Sequence, residues 1–201
     1  MDTKEKIILA TLELAAQNGL GSVSMSQIAE KLGIRKPSLY NHFESKEAMI
    51  EAMYRFLRER SRSNVSNADI DPESLVKDRT AEEVLMFTVM NYNKLNEQPE
   101  MVNFYKVIYS QRAIDPTAAG IMAEETEKML RATKALFYAL QVHGKISVSD
   151  VDAAAESFAM TVHAITEYQL DCINSGRETK KDMLGQYIKW FSGQIGGDKN
   201  G

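Results

Sequence analysis

The chain has 201 residues, 24 Lys/Arg against 28 Asp/Glu for a net charge of −4, and 44% hydrophobic residues. That hydrophobic share is close to the globular average and excludes disorder for the bulk of the chain, while the length suffices for one compact unit or a small domain joined to a larger one. No apolar run approaches the ~20 residues that span a bilayer, Met1-Asp2-Thr3-Lys4-Glu5-Lys6 has no signal-peptide pattern, and a single cysteine, Cys172, excludes an internal disulfide. These features predict a cytoplasmic protein with no membrane partner.

Four prolines and no useful stretch of alternating hydrophobicity predict an all-α fold. A first helix from about Thr3 to Asn18 presents Ile7, Leu9, Ala10, Leu14 and Ala15 on one face and ends at Gly19. Residues 24 to 46 then divide into parts with separate mechanical tasks. Ser24 is an N-cap, completed by Gln27 as a capping box. Ile28, Ala29 and Leu32 give a short apolar face, with Ala29 small where a second helix crosses. Gly33 supplies the left-handed residue that ends the helix, Ile34 enters the core, and Pro37 suits the first turn of the next helix. Leu39 and Phe43 point inward, leaving Lys36, Ser38, Tyr40 and His42 on or near the outward face. Together these residues describe a DNA-binding helix-turn-helix.

Ser45 caps a fourth helix carrying Ala48, Met49, Ala52, Met53 and Phe56, which fades near Ser61 to Asn67. The polar stretch from Ser61 to Glu73 reads as a linker. Helices follow at roughly 80 to 97, 99 to 112, 116 to 143, 149 to 174 and 179 to 194. Asp115-Pro116 marks one start, Ser149 with Asp152 resembles a capping box at another, and Gly144 and Gly176 are stops. Residues 196–201 are expected to be disordered. The expected organisation is a helix-turn-helix domain at 1–46, a connecting helix and linker at 47–67, and a larger helical domain at 68–195.

In the penultimate helix Val151, Ala155, Phe158, Val162, Ile165, Gln169 and Cys172 alternate four and three apart, and Leu184, Ile188, Phe191 and Ile195 repeat the pattern in the last. Two such helices joined by a short turn make half of a four-helix bundle. Either the stripes pack into their own chain's core, or two hairpins pair across a two-fold axis through Val151, Ala155, Phe158, Val162, Ile165, Leu184, Ile188 and Phe191. The charge distribution favours pairing. Residues 1–63 carry a net +2 and residues 64–201 a net −6, so one N-terminal part alone holds DNA weakly and two copies are needed. Dimers of this kind read near-palindromic sites about one helical turn apart.

For DNA contact, Lys36 is placed to reach a guanine edge or a phosphate, or to remain solvated. Ser38 and Tyr40 can donate to phosphates or bases, and the Tyr40 ring can instead be half-buried. His42 can donate to a phosphate or cap locally. Lys46 lies in the first turn of the fourth helix, where free N–H groups attract phosphate. Ser24, Arg35 and Pro37 complete the candidate interface, while Arg58, Arg60 and Arg62 are expected to decorate the C-terminal end of the fourth helix.

The run Ile28-Ala29 … Leu32-Gly33-Ile34 … Leu39-Tyr40-Asn41-His42-Phe43 … Lys46-Glu47 resembles the DNA-binding domain of TetR-family transcriptional regulators, from near Lys4 to about Arg58. The resemblance implies that the helix bearing Lys36 to His42 enters the major groove and that Lys46 contacts phosphate. Ser24 and Ser38 stand where threonine is frequent, and both keep the hydroxyl. The remainder fits the family in length and helical patterning. A sensor is then implied between about 80 and 170, a region rich in Met and aromatic residues suited to a pocket that re-packs. Candidate contacts to a small, largely apolar effector are Met90, Phe104, Tyr105, Tyr109, Met129, Met160, His163 and Glu167, although such residues are more often plain core.

No His/Cys/carboxylate spacing suits a metal, and no phosphate-binding glycine loop or nucleophile elbow occurs. Neither catalysis nor a cofactor is expected, and Cys172 on the apolar stripe reads as a buried thiol. The functional expectation is a homodimeric, ligand-responsive repressor of a double-stranded DNA operator. The alternative is a DNA-bound adaptor on the same fold, controlled by a protein partner.

Overall fold

The computed structural model describes residues 2–66, 71–179 and 182–196, without the side chains of 57, 60–66, 95 and 96. Its α-helices are α1 (Thr3–Asn18), α2 (Met25–Leu32), α3 (Lys36–Tyr40), α4 (Lys46–Ser66), α5 (Pro72–Val76), α6 (Ala81–Asn96), α7 (Pro99–Gln111), α8 (Pro116–Val142), α9 (Val151–Asn174) and α10 (Met183–Ile195). Among the described residues no strand forms, only an isolated antiparallel bridge between Ile146 and Gly196. Residues 197–201, most of the expected tail, lie outside the described residues, as do 67–70 of the expected linker.

The helices divide into two compact units, Met1–Asp69 with Lys94–Glu124, and Ile70–Asn93 with Glu125–Gly201. This division differs from a simple N-terminal and C-terminal split, because α7 groups with the N-terminal helices. Its buried Met101, Phe104, Val107 and Ile108 share a core with Ile7 and Leu12 of α1 and Met49 and Met53 of α4. In the second unit Val84 and Leu85 of α6, Phe137 and Leu140 of α8, Phe158 of α9, and Ile188 and Phe191 of α10 form the core. Its aromatic centre is tightly joined: the Phe158 ring lies 5.6 Å from Phe137 and 5.2 Å from Phe191, centroid to centroid.

Local chemistry explains most boundaries. Asp2 caps α1 through the Glu5 amide, and Glu5 returns a bond to the Asp2 amide. The Asp115 carboxylate accepts from the Thr117 amide at 2.8 Å to start α8. Helix α9 departs from the expected Ser149–Asp152 box: Asp150 is the cap, accepting from the Ala153 amide at 2.9 Å, while Asp152 lies 3.5 Å from the Lys134 ammonium. Helix α5 occupies part of the expected linker. Asp71 accepts from the Glu73 and Ser74 amides, Pro72 opens the first turn, and Leu75 and Val76 are buried. Two buried residues anchor what composition alone presents as a polar loop.

Candidate nucleic-acid interface

The turn between α2 and α3 is closed entirely by local bonds. The Ser24 hydroxyl accepts from the Gln27 amide, and Gln27 Oε1 accepts in return from the Ser24 amide at 2.8 Å. Gly33 sits at φ 65°, ψ 27° with open space around it, so the left-handed backbone is what demands glycine there. The Ile34 amide then reaches the Ala29 carbonyl at 3.0 Å and the Gly33 amide the Glu30 carbonyl at 3.0 Å, the paired closure of a Schellman motif. Leu39 and Phe43 are buried in the first core beneath the turn. The chain direction through α3 is therefore fixed from both ends and from below.

This anchoring turns the opposite side of α3 outward. Arg35, Lys36, Pro37, Tyr40 and His42 are exposed, Tyr40 at 47%, whereas Ser38 is half-buried. The Tyr40 ring is thus presented on the surface and is not a core residue. The helix itself ends at Tyr40, with Asn41 and His42 in a turn, so His42 stands beyond the last helical residue. Ser24 is exposed, but its hydroxyl is committed to the α2 cap, donating to Gln27 Oε1 as well; it positions α2. The Lys46 ammonium donates to the Gly21 carbonyl at 3.2 Å, tying the start of α4 to the turn after α1. An ammonium has three donors, so this bond leaves capacity for a phosphate. The Ser45 hydroxyl caps α4 by accepting from the Ala48 amide at 3.0 Å.

The expected effector contacts are divided between the units. Phe104, Tyr105 and Tyr109 belong to the first, Met90, Met129, Met160, His163 and Glu167 to the second. Phe104 is wholly buried in its core, and Tyr105 and Tyr109 pack against that core, with the Arg112 guanidinium 4.5 Å from the Tyr109 ring centroid. In the second unit Met90 and Met160 are exposed, Met129 is half-buried, and His163 Nε2 lies 3.4 Å from Glu167 Oε1. A shallow cleft of about 430 Å³ lies beside α6, lined by Asp78, Arg79, Glu82, Glu83, Met86, Phe87 and Met90. Of the eight residues only Met90 lines it.

The alternating stripes of α9 and α10 are turned into this chain's own second core. Ala155, Phe158, Ile165, Ile188 and Phe191 are buried, and Val151, Val162 and Leu184 are partly covered. Phe158, Ile188 and Phe191 thus pack with α6 and α8 in one core, while Val151, Val162 and Leu184 keep partly exposed surface. Exposed apolar groups lie elsewhere on the same helices: Tyr168, Leu170 and Ile173 on α9, and Trp190 on α10. Periodicity marks a buried stripe without saying which chain buries it. Arg58 is likewise not simply a helix-end charge, since its Nε donates to Glu124 Oε2 at 2.8 Å; the side chains of Arg60 and Arg62 lie outside the described residues. Among the described residues no helix is long and apolar enough to cross a membrane.

Comparison with known proteins accords with this architecture. Residues 7–53 match the family described as bacterial regulatory proteins, tetR family, and residues 83–182 match the AefR-like transcriptional repressor C-terminal domain. Together the two matches take in most of the chain. An uncharacterized HTH-type transcriptional regulator of Bacillus subtilis, YuxN, is 26% identical over 94% of this chain and 61% of its own length. The class D tetracycline repressor protein of Escherichia coli is 38% identical over 25% of this chain and 23% of its own. The chain thus spans less than two thirds of either relative. A solved structure from Saccharomonospora viridis, in complex with choline, is similar in fold at a TM-score of 0.70 with 16% identity, covering 98% of both chains. The chain belongs to the TetR family of transcriptional regulators.

Proposed function

We propose that the chain is a DNA-binding repressor that acts as a homodimer on a near-palindromic operator and is released by a small, largely apolar molecule. The observation that carries this reading is the exposed face of Arg35, Lys36, Pro37 and Tyr40, held outward by buried Leu39 and Phe43. Cationic and hydroxyl donors on a rigid support suit a groove edge, with Ser38 and His42 beside them and Lys46 toward phosphate. Ser24 contributes by fixing α2. The small positive excess of residues 1–63 requires two heads for useful affinity. Pairing is assigned to the exposed apolar groups of α9 and α10, Tyr168, Leu170, Ile173 and Trp190. The whole cycle suits a cytoplasmic protein without a cofactor or a membrane partner.

For the effector, half-buried groups are the best candidates: Tyr105 and Tyr109 in the first unit, or Met129, His163 and Glu167 in the second. Phe104 supports from beneath. The solved structure from Saccharomonospora viridis, similar in fold, is in complex with choline, which supports a small-molecule effector without identifying one. Release follows from an effector preferring a conformation in which the heads are wrongly spaced. An adaptor controlled by a protein partner is the second reading, favoured by Phe87, Met90 and Tyr92 exposed on α6.

Mobility shift with footprinting on DNA around the chain's own gene, at stated salt, tests the proposal. Protection of a near-palindrome is expected, and a ligand screen on that complex then separates effector from adaptor. Weak, salt-dependent and sequence-independent binding to every fragment would overturn the operator reading.

A further inference from the structure

Within the first unit α4 is anchored along its length by different kinds of contact. Met49 and Met53 are wholly buried in the core, and the Thr11 hydroxyl lies 3.3 Å from Met49 Sδ, so this part moves with the helix-turn-helix. Beyond Met53, polar groups join the contact. Tyr54 is buried, but its hydroxyl makes no hydrogen bond in the structure. Burial first, and the nearby Asp115 carboxylate second, push that phenol well above its ordinary pKa beside the start of α8. At Arg58, four residues further along the same face, the guanidinium engages both Glu124 carboxylate oxygens, Nε to Oε2 at 2.8 Å and a second nitrogen to Oε1. Both side chains of this pair are about a third exposed.

Helix α4 is therefore held against α8 by the apolar core, which takes in Ala118, Ile121 and Met122, and at its edge by a planar, two-bond, solvent-accessible pair. Such a contact fixes direction while remaining exchangeable, unlike the sealed core around Met49 and Met53. Glu125, the adjacent carboxylate, pairs with Lys128 at 2.6 Å. We propose that Arg58 is a positioning residue for DNA recognition, acting through Glu124 to hold α4, and with it the recognition helix, in one orientation. The inference rests on the DNA-binding reading above. It predicts that loosening the pair spreads α4 over several positions, and affinity then falls with the fraction of molecules still competent to bind.

The test uses the full chain carrying Arg58→Gln, Glu124→Gln, or the exchanged pair Arg58→Glu with Glu124→Arg. Nitroxides on Arg55→Cys and Ala119→Cys, in a Cys172→Ala background, report the spacing of α4 and α8 by pulsed spin resonance without DNA. Arg58→Gln is expected to broaden a narrow distance distribution and weaken operator binding roughly tenfold at little cost in melting temperature, within the usual range of coupling between sites. The exchanged pair is expected to restore both, a recovery that general loss of stability does not produce. An unchanged distribution in both single variants would overturn the proposal, as would a broadened one with operator affinity intact. If the unmodified chain protects no DNA, the recognition role falls together with the DNA-binding reading. The distances then show separately whether the pair orders α4.

Discussion

The helix-turn-helix and the α9–α10 hairpin carry equally regular apolar spacing, yet the two patterns become legible at different distances along the chain. In the first, the caps and the turn are closed within a few residues: Ser24 bonds Gln27, Gly33 closes onto Ala29 and Glu30, and Leu39 and Phe43 fall inward. In the second, Phe158 meets Phe137 and Phe191, neighbours far away in sequence. A local motif encodes its own geometry through caps and a left-handed glycine. A long amphipathic helix encodes only that one stripe is to be buried, and the burying surface is a tertiary outcome.

The contrast is broken most directly by large substitutions. Phe158→Ala is expected to destabilise the second unit by about 3–5 kcal/mol, from lost transfer energy and a cavity. This is measurable as a shift in the urea midpoint at constant protein concentration. If Phe158 faced a second chain instead, the loss would depend on protein concentration, which distinguishes core from interface. A double change at exposed residues, Ile173→Glu with Trp190→Glu, is expected to do the reverse, converting dimer to monomer in sedimentation while helix content by circular dichroism stays constant.

On the other side of the comparison, Tyr40→Ala with Lys46→Ala is expected to weaken operator binding by roughly a hundredfold or more, at ~1–3 kcal/mol per lost contact. The fold should survive, because Tyr40 is exposed and Lys46 gives up only its bond to the Gly21 carbonyl. Unchanged affinity would mean that α3 does not enter the groove. A smaller effect sharpens the claim that the motif is locally encoded. Gly33→Ala meets no steric obstacle and is expected to cost about 1–2 kcal/mol through the left-handed backbone alone, read from thermal melting.

The smallest effect concerns acid. The Thr80 amide, then the Thr80 hydroxyl, donates to the Glu83 carboxylate at the start of α6 and lowers its pKa below the ordinary 4.5. A carboxylate with a lowered folded-state pKa contributes stability above its unfolded pKa and loses that contribution as pH falls through the folded value. Glu83→Gln should therefore lower the urea midpoint slightly at neutral pH and flatten its decline below about pH 4.5, the two proteins converging in acid. An unchanged acid slope would show that this cap is not maintained in solution.

The residues of the candidate interface were legible because side-chain direction follows once a short helix has its caps and its inward pair. What the spacing did not show was occupancy: the Ser24 hydroxyl is used in its own cap and Lys46 already holds Gly21. Helix α5 is not legible in the sequence because its two buried residues, Leu75 and Val76, follow a polar stretch and are too few to set a period. The eight expected effector contacts rest on residue type, which does not assign a side chain to a unit. They fall three and five between the two.

The sequence by itself determined the all-α character, the helix-turn-helix, and most helix ends, since caps, prolines and left-handed glycines act over three to five residues. Tertiary structure alone decided that α7 joins the N-terminal core, that the α9 and α10 stripes close onto α6 and α8, and that Arg58 finds Glu124. Those outcomes depend on contacts between residues tens of positions apart, where hydrophobic burial is non-directional and only the competition among all possible partners fixes which surface meets which.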